Sequence, residues 1–118
     1  MLFKTTLALA PSLVASTTLY AASYSGLVTT LDLTLSDDGT ASLAAVGESD
    51  GCGASPSWLE IAEDGLIYCS DEGLSSTKGS VSALERGSEG LQLVGSLDTE
   101  QGPVSSARFG GEGLVVSH

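Results

Sequence analysis

Asparagine is absent from the 118 residues, and basic side chains are scarce: Lys4, Lys78, Arg86 and Arg108 stand against fifteen acids, for a formal net charge of −11. The first absence removes every N-glycosylation acceptor. The second makes the surface repel phosphate backbones and anionic headgroups, which excludes nucleic acid and membrane surfaces as partners. Aromatic residues are limited to Phe3, Tyr20, Tyr24, Trp58, Tyr68 and Phe109. A core must therefore come mostly from Leu, Val and Ala, which is thin for a domain of this size. Two cysteines and a single histidine, His118, make no metal site of recognised spacing. No phosphate-cradling glycine loop and no triad motif occurs, so no cofactor is expected. The apolar run near the N-terminus is far shorter than the ~20 residues that a membrane span needs.

What is present is a chain with 42% hydrophobic and 16% charged residues, the composition of one small domain that buries surface rather than of a disordered acidic tail. Its start has the pattern of a secretory signal. Lys4 supplies a short basic region, residues 7–15 an apolar one, and Val14-Ala15-Ser16 a small-residue exit suited to cleavage before Thr17. Residues 1–16 are thus expected to be a leader and the mature protein extracellular; the plainer alternative is an ordinary first strand with a ragged start. Cys52 lies in a Gly-rich loop and Cys69 near the end of a strand-like run, so both approach one edge and a disulfide is expected in an oxidising compartment. The alternative is a buried free Cys69 with Cys52 exposed.

The clearest local structure is PSWLEIAEDGLIYCSDEG, residues 56–73. Two runs rich in aromatic and branched apolar residues flank Glu63-Asp64-Gly65, which predicts a β-hairpin. Further short strands are expected at residues 19–24, 28–36 and 41–46, then at 79–84, 91–97, 104–109 and 114–118, with glycine-bearing turns between them. These segments repeat. Pro103 follows Pro56 by 47 residues, Leu114 follows Ile67 by 47, and Tyr68 follows Tyr20 by 48.

Four short antiparallel strands recurring at this interval describe a β-propeller blade. The expected fold is therefore all-β, with part of a first blade over residues 17–54, a complete second blade over 55–101 and the start of a third over 102–118. A compact sandwich of eight or nine strands is the alternative that length and strand count also permit.

The runs at residues 56–73, GSVSALERGSEGLQLVGSL (79–97) and GPVSSARFGGEGLVVSH (102–118) resemble the seven-bladed propeller lactonase family. That family includes bacterial 6-phosphogluconolactonases and fungal carboxy-cis,cis-muconate cyclases. The resemblance covers Leu19 to the C-terminus and is closest to secreted fungal members. It implies a cofactor-free protein acting on a small lactone or its open-chain carboxylate. At about 47 residues per unit, seven blades need more than about 300 residues, so the chain reads as an N-terminal portion of such a ring.

The family's Tyr-x-x-Asn-Glu strand end lies over Tyr68 to Glu72, with Glu72 on the acidic position and Asp71 on the Asn. The same register puts His118 on the Asn of the next blade's Ala-Asn-Tyr run. Where phosphogluconolactonase-like members carry Gly-Pro-Cys-His, this chain has Gly102-Pro103-Val104-Ser105, so Ser105 stands in place of the family's His.

Lactone opening or closure needs a proton carrier, a site for the substrate carboxylate and stabilisation of oxyanion charge. Glu72 and His118 are the candidate acid–base groups, and Asp71, Ser105 and Arg108 the candidate substrate-binding ones. The plainer readings are solvated acids at a strand end, a frayed terminal histidine and a surface arginine in an ion pair. A non-catalytic binding or structural module is the functional alternative.

Overall fold

A computed structural model describes residues 14–118, and all the regular structure there is β. Nine strands follow in order: β1 (Ala15–Ser23), β2 (Leu27–Leu35), β3 (Ala41–Ser49), β4 (Pro56–Ile61), β5 (Ile67–Asp71), β6 (Gly79–Gly87), β7 (Gly90–Thr99), β8 (Ser105–Phe109) and β9 (Gly113–Ser117). They form three antiparallel meanders ordered β1-β2-β3, β4-β5-β6-β7 and β8-β9. The described residues thus form three strands of one blade, all four of a second and two of a third. Successive sheets pack on one another, β1 against β4, β3 against β7 and β4 against β8. This is a run of propeller blades and not a two-sheet sandwich.

The hairpin at the centre of the chain forms because local chemistry and register agree. Ile61 pairs with Ile67 across the turn, the Ala62 amide donates to the Leu66 carbonyl at 2.8 Å, and Asp64 Oδ1 accepts the Leu66 amide at 3.1 Å. Gly65 supplies the left-handed residue, φ +87°, that a side chain would adopt only with strain.

The core lies between the first two sheets. Val28, Cys52, Ile67, Cys69, Leu84 and Leu91 form one buried cluster, with Tyr20, Ala22 and Leu59 packed against it. Alternation along β5 explains the arrangement: Ile67 and Cys69 enter this cluster, while Tyr68 on the other face meets Arg108 of β8. Full burial of an aliphatic side chain such as Ile67 or Leu84 contributes roughly 1.5–3 kcal/mol. The outermost strands β3 and β7 remain largely exposed.

Cys52 and Cys69 are joined by a disulfide with Cα atoms 5.6 Å apart. It ties the loop before β4 to the returning strand of the hairpin. Of the expected leader, residues 1–13 lie outside the described residues, whereas Ala15 and Ser16 open β1, paired with Leu35 and Thr34. The first strand therefore starts four residues before the expected Leu19, because β2 is long enough to template it. Trp58 is 41% exposed and lies outside the core cluster.

Candidate functional site

Antiparallel alternation sends the ends of β1, β5 and β9 and the starts of β4 and β8 to one rim of the stacked sheets. Glu72 is the first residue after β5 on that rim. Its backbone is held on both sides: the amide donates to the Ser55 carbonyl at 3.0 Å, and the carbonyl accepts the Gly102 amide at 2.9 Å. Its side chain is held as well, because the Tyr24 hydroxyl donates to Oε1 at 2.5 Å. That bond, reinforced by desolvation and by the Glu72 charge, pushes the Tyr24 phenol above its ordinary value of 10.0, since ionisation would lose the bond and set two anions side by side.

Asp71 has a different task. Its carboxylate accepts the amides of Ala54 at 3.1 Å, Ser55 at 3.0 Å and Gly73 at 2.9 Å. These bonds clamp the loop carrying Cys52 to the end of β5 and shape the turn on which Glu72 sits. The two neighbouring acids are therefore divided, one engaged with backbone and one with a phenol. An amide carbonyl satisfies part of this clamp, which gives a physical reason for the Asn that the resemblance places at position 71.

Ser105 and His118 share the rim. Ser105 opens β8 and pairs with Ser117 of β9. His118 follows β9, exposed, with Nδ1 3.4 Å from the Gln101 carbonyl oxygen. The Gln101 side-chain amide donates to the carbonyls of Gly73 at 2.9 Å and Ser76 at 2.8 Å. A polar link thus runs from the terminal histidine to the segment just after Glu72.

Arg108 is not brought to this rim. It lies three residues along β8 from Ser105, roughly 10 Å away at strand rise, and its neighbours belong to the opposite end of the sheets. Nη1 donates to the Tyr68 hydroxyl at 3.3 Å and lies 3.9 Å from Asp64 Oδ2 in the β4–β5 turn. The guanidinium carbon is 5.4 Å from the Tyr68 ring centroid, and Nη2 donates to the Gly111 carbonyl. A concavity of ≈ 350 Å³ at that end is lined by Glu60, Glu63, Arg108 and Phe109 among others.

Tyr24 is the rim residue that sequence reasoning passed over. The signal was present: Tyr24 precedes Glu72 by 48 residues, the interval that separates Tyr20 from Tyr68. The bonded pair occupies equivalent positions of adjacent blades. Among the described residues no group of His, Cys, Asp and Glu is placed to hold a metal ion.

A family model described as lactonase, 7-bladed beta-propeller, matches residues 14–117. No curated protein and no solved structure matches the chain.

Proposed function

The chain belongs to the seven-bladed β-propeller lactonase family, and on that premise we propose that it serves a secreted protein that opens a small lactone or, in the muconate-cyclase sense, closes one. Glu72 is the proton carrier in this reading. Water adds to the lactone carbonyl carbon as its proton passes to the Glu72 carboxylate. The ring C–O bond then breaks, and the same proton goes to the departing alkoxide. Closure of a hydroxy acid is the reverse, with water leaving; closure in the muconate sense adds the substrate's carboxylate oxygen to one alkene carbon while the neighbouring carbon takes its proton from Glu72. Ser105 and His118 lie on the same rim for hydrogen bonding to substrate, and Asp71 contributes by holding the turn.

The observation that carries this reading is the threefold fixation of Glu72, by Ser55, Gly102 and Tyr24, since a proton carrier works through position before acidity. The described strands amount to one whole blade and parts of two others, so catalysis is assigned to the completed ring. In that ring Glu72→Gln lowers kcat by at least about tenfold; undiminished turnover would remove Glu72 from the mechanism. The 118-residue chain alone is expected to turn over no lactone, and measurable turnover would overturn that part.

A second reading, a non-catalytic secreted propeller module that binds or supports, is favoured by two particulars. Ser105 replaces the histidine that the resemblance places there, and Arg108 is engaged with Asp64, Tyr68 and Gly111 at the other end. Reproducible lactone turnover by the completed ring decides against it.

A further inference from the structure

The geometry points to Tyr24 as a positioning residue for Glu72: its phenol holds Oε1, fixes the carboxylate's rotamer, and leaves Oε2 as the oxygen that meets a substrate proton.

Three observations carry this. The Tyr24 hydroxyl is 2.5 Å from Glu72 Oε1, in the range of a short charge-assisted O–H···O bond. No other donor among the described residues reaches the Glu72 carboxylate, so the phenol alone selects one of its two oxygens. The two residues also come from different blades. Tyr24 stands in the β1–β2 turn, itself shaped by the Ser25 amide donating to Ser23 Oγ at 3.1 Å and by the Gly26 amide donating to the Ser23 carbonyl at 3.0 Å. Glu72 is fixed through its backbone to the loop before β4 and the loop between β7 and β8, by Ser55 and Gly102. Contact between two independently held segments makes the carboxylate's direction a property of how the blades stack, and a glutamate free at a strand end would sample several staggered rotamers instead.

A purely structural bond between blades would also add stability, so the test reads the bond and the carboxylate directly. The inference rests on Glu72 as the proton carrier, but its test needs no turnover and uses the 118-residue chain as it stands. Tyrosinate absorbance is followed against pH in the parent, in Tyr24→Phe and in Glu72→Gln. The phenol lost in Tyr24→Phe is expected to titrate above 10.0 in the parent and at lower pH in Glu72→Gln, where the hydrogen bond to a carboxylate and its charge are gone. Identical titration in both would overturn the contact.

Three-bond couplings at the Glu72 side chain supply the second measurement. One staggered rotamer is expected in the parent and averaging among rotamers in Tyr24→Phe. A single unchanged rotamer in that variant would overturn the positioning role even with the contact intact. Should Tyr24→Phe lower the unfolding midpoint, the Glu72→Gln titration still decides the contact. Undiminished turnover in Glu72→Gln of the completed ring, by contrast, strikes the catalytic reading alone and leaves the Tyr24 measurements standing.

Discussion

Asp71 and Glu72 show how far side-chain surroundings separate two adjacent acids. Both are polar residues at a strand end, yet Asp71 is a structural acceptor for three amides and Glu72 is a rim group oriented by a phenol. Removal of the Asp71 acceptor leaves the Ala54, Ser55 and Gly73 amides to find water in a partly buried loop. Asp71→Ala is therefore expected to destabilise the chain by about 2–3 kcal/mol, since hydrogen bonds to a charged group contribute about 1.5–3 kcal/mol and the loop recovers some solvation. Asp71→Asn, which keeps one carbonyl acceptor, is expected to lose less. The urea midpoint at unchanged m-value is the measure, and equal stability of Asp71→Ala and the parent would discard the clamp.

The strands and their links carry the next level of organisation. The hairpin of β4 and β5 has sheet on both faces, so Ile67 and Cys69 of β5 enter the core while Tyr68 meets Arg108, and the disulfide adds a covalent link from its end to the loop before it. Both sulfur-bearing residues are at most 1% exposed. Closing a loop whose ends are 17 residues apart stabilises by about 3 kcal/mol in the chain-entropy account. The double variant Cys52→Ser, Cys69→Ser is expected to lose about that amount, with part of the loss coming from hydroxyls placed in an apolar cluster. Mild reductant without denaturant should leave the bond intact, as followed by thiol titration; rapid reduction of the folded chain would show that the cluster opens readily.

The assembly of sheets as a whole leaves apolar surface bare. Leu43 and Val46 on β3, Val94 and Leu97 on β7, and Val115 on β9 are each more than half exposed. A concavity of ≈ 330 Å³ between the second and third sheets is lined by Leu97 together with Val81, Leu114 and Val116. Bare faces and strand edges of this kind drive association. Sedimentation is expected to show concentration-dependent self-association that Leu97→Lys reduces, with the unfolding midpoint shifted by less than about 0.5 kcal/mol equivalent, as befits an exposed site. Association undiminished in that variant would place the contact elsewhere. Much of this architecture was legible from residue order alone, because strand grammar is local: apolar alternation, glycine turns and a 47-residue interval mark the hairpins and their grouping into blades before any contact is known. The Ala15–Thr18 start of β1 was not, since its small residues also fit a leader exit and the segment joins the sheet because β2 offers it an edge. Nor was the site. Ser105 and Arg108 are near neighbours in sequence, yet an extended strand carries them to opposite ends of the stack. Tyr24 and Glu72 are 48 residues apart and meet because equivalent turns of adjacent blades come together at one rim. Periodicity names the equivalent positions, but the stacking of two twisted sheets decides which of them touch.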